Sequence, residues 1–378
     1  MKLTGTAKSG CLACAIAMLA ACGGGGSEPN STKKRTYYFI SESGSGNPFW
    51  GPLEKGFEDA AENYGVKAIY QGPSGTETFE EQPRQMEAAI AAQASGIAVT
   101  LCCPDAVYQP IQDAYAAHIP VIIVNDYATT TGLAGCAGTT PSPYPAGTVV
   151  PNTITYVGQD DRYAGQQSVV KALQIAGKNS FHNVLCIEAS PSGVWALQRC
   201  SGVQEAVLGS GTTVTTTTAA AADANGNGLI TVATGAGATV TTLAWDAYAT
   251  EPHTSDLQNT IANLLQQNTY DYVVSTATPT TAALLAETAT VSSFSKANTV
   301  ISSFDTDSTT ASTISSGALD FTVDQQPYLQ GYMPIVLFEM YNDYLLKIGA
   351  NTDFATGPFF IDKNNVGDIG KLVVEGYR

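Results

Sequence analysis

From Thr36 onward the chain alternates short apolar runs with longer amphipathic ones, and this rhythm limits the possible folds more than any other feature. Thr36 to Ser41 (TYYFIS) has the composition of a buried strand. Trp50 to Tyr64 sets Leu53, Phe57, Ala60, Ala61 and Tyr64 on one face at helical spacing. The same reasoning predicts strands at 66–70, 97–101 and 119–124, with helices at 80–94 and 106–117 between them. A βαβαβαβ order of this kind needs a parallel sheet covered by helices on both faces. After a Thr-, Gly- and Pro-rich interruption from Tyr127, the rhythm restarts. Strands are expected at 154–157, 183–187, 240–245, 272–275 and 299–304, and helices at 164–175, 194–208, 257–267 and 280–289. The expectation is an α/β protein with two Rossmann-like lobes, each a parallel sheet flanked by helices. A length of 378 residues suits two such units.

Two stretches break the pattern, 129–152 and 209–238. The second carries four consecutive Thr (Thr215 to Thr218) and four consecutive Ala (Ala219 to Ala222), and reads as a surface hairpin or flap. Asp223-Ala224-Asn225-Gly226-Asn227-Gly228 places oxygen ligands at alternate positions. It lacks the acidic twelfth residue of an EF-hand loop, so no metal is expected there.

The first residues address the chain to a membrane. Lys2 and Lys8 precede an apolar run from Cys11 to Ala21 that is too short for a permanent span and has signal-peptide dimensions. Leu19-Ala20-Ala21-Cys22 followed by Gly23 resembles a bacterial lipobox, in which the cysteine thiol accepts a diacylglycerol. Residues 1–21 would then be a lipoprotein signal and 22–35 a flexible tether, leaving the protein exported and anchored only through lipid on Cys22. Of eight cysteines, Cys102, Cys103, Cys136, Cys186 and Cys200 remain in the body, where an oxidising compartment permits disulfides. Cys186 falls on a predicted strand and Cys200 on the helix that doubles back over it. A bridge between them and a pair of small buried hydrophobes both fit.

Composition removes several function classes. With 17 Lys and Arg against 33 Asp and Glu, a net charge of −16 speaks against binding polyanionic nucleic acid. Catalytic signatures are missing: there is no G-x-S-x-G elbow, no phosphate-cradling glycine loop and no His-x-x-Glu-His pair. His118 and His182 lie at the amino ends of predicted strands, whereas ligands in doubly wound sheets meet the carboxyl ends. No catalytic residue, cofactor or metal is expected. The residues just beyond the strands are instead polar and flat. Asn47-Pro48-Phe49-Trp50 offers an amide and two rings at the mouth of the first sheet, which suits a sugar: planar polar groups bridge adjacent hydroxyls and rings take its C–H face. The plain alternative is a helix cap with two core aromatics.

That Asn-Pro-Phe-Trp turn resembles the opening motif of ribose- and galactose-type sugar-binding proteins of ATP-driven importers, the type I periplasmic binding proteins. Ile119-Pro120-Val121 with Asn125-Asp126 beyond it, Val157-Gly158-Gln159-Asp160, Arg199-Cys200-Ser201-Gly202, Phe304-Asp305 and Asp324-Gln325-Gln326-Pro327 come in the family's order. The resemblance implies a ligand-binding set of Asn47, Phe49, Trp50, Asn125, Asp126, Arg199, Asp305 and Gln325, with Arg162 as a weaker candidate. It implies an N-terminal lobe of 36–153 and 326–354 and a C-terminal lobe of 154–325 and 355–378, joined by crossovers near Asn152, Gln325 and Ala355. One departure is the strand running to Thr278, which lacks the family's Asn-Asp, so that one cleft-side polar pair is either missing or replaced by Thr276 or Thr278. The implied protein is a monomeric, non-enzymatic carrier that captures a monosaccharide or sugar alcohol and delivers it to an ABC permease and its ATPase. A rival is a sensor subunit that passes its closed state to a membrane receptor. A glycosidase would need two facing carboxylates, for which Asp126 and Asp305 are candidates.

Overall fold

The computed structural model describes residues 34–44, 49–73, 81–101, 104–127, 152–191, 193–209, 213–224, 226–249, 251–348 and 353–378, and Arg35–Arg378 form one compact unit. The signal, the tether up to residue 33, Cys22, Asn47, most of the first insertion, Cys102, Cys103 and Cys136 lie outside the described residues.

The first half runs β1 (Thr36–Ile40), α1 (Trp50–Tyr64), β2 (Lys67–Gln71), α2 (Gln82–Ala91), β3 (Gly96–Leu101), α3 (Pro104–Ala116), β4 (Val121–Tyr127) and β5 (Tyr156–Gly158). The second runs α4 (Asp161–Ala176), β6 (Asn183–Glu188), α5 (Val194–Leu208), β7 (Thr215–Ala220), β8 (Leu229–Gly235), β9 (Ala238–Ala244), α6 (Thr254–Gln267), β10 (Tyr272–Ser275), α7 (Thr278–Thr290), β11 (Val300–Phe304), α8 (Ser308–Ser316) and β12 (Phe321–Asp324). The chain then returns with α9 (Pro327–Tyr344), β13 (Phe354–Ala355), β14 (Phe359–Asp362) and α10 (Val366–Val374).

Among the described residues the strands form two sheets, ordered β13-β5-β4-β3-β1-β2 and β14-β12-β11-β10-β6-β9-β8-β7. Pairing within the first sheet is parallel throughout. Strand β3 (GIAVTL), in the middle of this sheet, is buried along its whole length, as expected where helices cover both faces. Residues 215–235, expected as a hairpin or flap, form the antiparallel pair β7/β8, which joins β9 and widens the second sheet. Asp223 and Asn227 shape its turn. The Asn227 N–H donates to Asp223 Oδ1 at 2.9 Å, and the Asp246 N–H donates to Asn227 Oδ1 at 2.6 Å.

The expected start of the second unit needs correction. The strand at Tyr156–Gly158 is the fifth strand of the first sheet, paired with β4 and, on its other side, with β13. The Pro-rich stretch after Tyr127 therefore connects neighbours within one sheet. The first crossover comes after Gly158 rather than lying near Asn152; the other two fall between β12 and α9 and between β13 and β14. Composition misleads here because Pro, Gly and Thr mark an insertion as readily as a linker.

Each lobe carries a helix pair held together by reciprocal glycines. In the first, a Cβ on Gly331 of α9 would sit 1.8 Å from Leu53 O, and one on Gly56 of α1 would sit 2.1 Å from Tyr328 O. In the second, a Cβ on Gly165 of α4 would sit 2.1 Å from Arg199 O, and one on Gly202 of α5 would sit 2.0 Å from Arg162 O. Any side chain at these four positions would force the backbones apart.

Candidate functional site

One cavity lies where the carboxyl ends of both sheets meet. It is lined by Glu42, Phe49, Trp50 and Asn125 from the first lobe, Asp161, Trp195, Arg199, Tyr248 and Asp305 from the second, and Gln325 from the crossover. Its free space is about 40 Å³.

On the first lobe, Trp50 opens α1 and is buried, and Phe49 meets it edge-on with ring centroids 5.2 Å apart and an interplanar angle of 89°. Glu42 lies just past β1, and its N–H donates to Thr100 Oγ1 at 3.1 Å, fixing the loop against β3. Asn125 owes its place to an irregularity: β3 and β4 pair Thr100 with Val124 but Leu101 with Tyr127, so Asn125 and Asp126 bulge out of register. At φ 61° Asn125 is left-handed, a conformation Asn tolerates better than most residues.

Arg199 dominates the second lobe. Its side chain is 3% exposed, and its Nε donates to Asp161 Oδ1 at 2.8 Å. Nη1 donates to Thr276 O at 2.7 Å and to Asp305 Oδ2 at 3.3 Å. The guanidinium carbon lies 4.9 Å from the Trp195 ring centre and 4.7 Å from that of Phe304. Burial works against its charge, yet Asp161 and Asp305 together hold it above the usual arginine range. Burial pushes the Asp161 carboxyl up, and Arg199 opposes that push. Asp161 also sits in the first turn of α4, where the helix N-terminus favours an anion.

The lobes meet through amides. Gln325 Nε2 donates to Asp305 Oδ1 at 2.7 Å, and Asn125 Nδ2 donates to Gln325 Oε1 at 3.1 Å and to Gln330 Oε1 at 2.8 Å. Gln330 Nε2 and the Thr356 hydroxyl both donate to Gln325 O, at 3.0 and 2.7 Å. Asp305, like Asn125, is left-handed, at φ 67°.

Phe49, Trp50, Asn125, Arg199, Asp305 and Gln325, singled out in the sequence, thus line one cavity. Three other candidates are placed differently. Asp126 is buried and is not among the residues that line the cavity, whereas Asp305 is. Arg162 bonds Glu205 on the lobe's exterior. Thr276 is fully buried and offers Arg199 its carbonyl, so it supports the site from behind. Sequence reasoning missed Glu42, Asp161, Trp195 and Tyr248. Trp195 carried a usable signal, because it precedes Arg199 by one helical turn.

A profile of the periplasmic binding protein domain matches residues 38–341. The chain belongs to this family. Members of the family and the structural neighbours are binding proteins, not enzymes, and the family places them outside the cytoplasm. Among curated proteins the chain is similar to the xylose/arabinose-binding protein XylF of Sulfolobus acidocaldarius, 27% identical over 323 residues, covering 85% of this chain and 69% of that one. A carbohydrate transporter from Acidothermus cellulolyticus, solved with myo-inositol, superposes with a TM-score of 0.66 at 25% identity, covering 91% of this chain and all of that one. The arabinose-binding protein AraP of Geobacillus stearothermophilus has the same fold, with a TM-score of 0.63 at 19% identity over 88% of this chain and 98% of that one. No helix among the described residues is long and apolar enough to cross a membrane.

Proposed function

We propose that this protein is the extracytoplasmic binding component of a sugar importer, taking a neutral monosaccharide or sugar alcohol between its lobes. The observation that carries this reading is the convergence of aromatic rings and oriented hydrogen-bonding groups from both sheets on one cavity at the crossovers. Phe49, Trp50, Trp195 and Tyr248 supply faces for C–H groups, Asn125 and Gln325 bridge hydroxyls, and Asp305 accepts from them. Arg199 donates without changing protonation near neutral pH. Asn47, two residues before Phe49, would add a further amide. Ligand contacts from both lobes exist together only when the lobes are closed, so binding shifts the population toward closure and presents a permease with a changed surface. The similarity to a xylose/arabinose-binding protein and to a carbohydrate transporter solved with myo-inositol supports this ligand class. We further assign residues 1–21 to a lipoprotein signal, Cys22 to acylation and the working form to a monomer.

Calorimetry of the purified protein with D-xylose, L-arabinose, D-glucose and myo-inositol tests the reading. Saturable binding of at least one, lost in Arg199→Met, is expected. Absence of heat and of a thermal shift across the panel rejects it. Metabolic labelling with an alkyne fatty acid should mark the wild type and spare Cys22→Ala.

A further inference from the structure

The Cys186–Cys200 disulfide is buried, and one of its cysteines adjoins Arg199, which lines the ligand cavity. Its cysteines lie on β6 and α5, 14 residues apart in sequence with Cα atoms 5.8 Å apart, and both are buried. Cys200 directly succeeds Arg199. Cys186 directly precedes Ile187, whose carbonyl accepts from the Thr276 N–H at 3.0 Å, and the Ala189 N–H donates to Thr276 Oγ1 at 2.9 Å. Thr276 is thus tied to the strand that carries Cys186 and to the residue just past its end, and its own carbonyl accepts from Arg199 Nη1. The path from Arg199 through Cys200, the disulfide, Cys186, Ile187 and Thr276 back to Arg199 is a closed ring.

We propose that the disulfide is a positioning element of the binding site: it sets the height of α5 above the sheet so that Arg199 Nη1 meets Thr276 and Asp305. This rests on the sugar-binding reading. Two separate devices locate the guanidinium. The Gly165–Gly202 contact fixes α5 against α4, and with it the bond from Nε to Asp161. The disulfide fixes α5 covalently against the sheet, and with it the bonds from Nη1. Those bonds have little tolerance, because the Asp305 contact at 3.3 Å already lies at the long end for N–H···O. A small lift of α5 breaks it, leaves Asp305 without its guanidinium partner, and blurs the hydroxyl-reading geometry.

The test compares wild type, Cys186→Ala/Cys200→Ala, and Ile261→Ala, a buried core truncation on α6 that serves as a stability control. Arginine side-chain NMR at low temperature, with the Arg199 signals assigned by their loss in Arg199→Lys, should show distinct Nη protons in wild type and in Ile261→Ala. In the double variant these should average while the Nε proton persists. D-xylose affinity, by calorimetry, should fall by about tenfold or more in the double variant, the equivalent of about 1.4 kcal/mol, and stay within about twofold in Ile261→Ala. Wild-type protein reduced with dithiothreitol retains both sulfur atoms and should behave like the double variant; it decides the matter if that variant fails to fold. Distinct Nη protons without the bridge, or averaged protons with unchanged affinity, overturn the proposal. If wild type does not bind D-xylose, the ligand reading fails for that sugar, and the NMR result alone decides the positioning role.

Discussion

The two faces of the cleft are built by different means. The second-lobe face is a locked charge network, with Arg199 between two carboxylates, packed on two rings and set against a disulfide and a glycine contact. The first-lobe face presents rings from the start of α1 and, from a strand bulge, an amide whose bonds run to the neutral amides of Gln325 and Gln330. A preorganised donor loses little freedom when it engages a hydroxyl, and a charged donor makes a stronger hydrogen bond than a neutral amide does. The second lobe should therefore dominate affinity, and the first should tune it.

The sharpest attempt to break that asymmetry is Arg199→Met. It removes the shared partner of Asp161 and Asp305 and leaves both carboxylates uncompensated in a buried site, which costs about 3 to 5 kcal/mol. Sugar binding should disappear in calorimetry while the melting temperature falls steeply. If Phe49→Leu costs more affinity than Arg199→Met, the ranking of the two faces is reversed.

A second consequence belongs to the same lobe. Glu188 ends β6, is buried, and has its pKa pushed up by burial from 4.5 to about 7. The folded protein holds this proton up to about pH 7, whereas the unfolded chain releases it near 4.5. The contribution of Glu188 to stability is therefore greatest below the lower value and falls as pH rises between the two, by about 3 kcal/mol at roughly 1.4 per pH unit. Glu188→Gln should flatten the denaturation free energy over that window and raise stability at pH 8. Asp324, at the crossover, is pushed up by burial to about 6 while Arg378 opposes the shift, so its own contribution to this slope should be smaller. On the first-lobe face, Phe49→Leu keeps apolar volume but removes the ring. It should weaken sugar binding by about 1 kcal/mol and leave the melting temperature almost unchanged.

How legible all this was depends on how local the cause is. Helices α1 and α5 could be read to the residue because apolar spacing and flanking glycines act within a few positions. The membership of Tyr156–Gly158 could not, since it depends on pairing with β4 across the long Thr-, Gly- and Pro-rich stretch that separates the two strands. Arg199, Asp305 and Gln325 were visible as motif residues after strands. Asp161 was not, because its role arises only when α4 and α5 pack through Gly165 and Gly202. The register shift at Asn125 and Asp126 was equally out of reach, because a bulge is a property of two strands together.

The smallest expected effect concerns the one respect in which the two faces agree. Asn125 and Asp305, each just at or beyond a strand end on opposite lobes, are both left-handed, and Gln325 links them. Asn125→Gly removes the amide but suits the backbone; Asn125→Ala removes the same amide and adds a Cβ penalty of about 1 kcal/mol. Both should lose affinity alike, because the lost bonds to Gln325 and Gln330 are the same, and only the Ala variant should lose the further stability in urea. If the two lose affinity unequally, backbone conformation at the strand end, and not the amide bridge, governs how the first lobe meets its ligand.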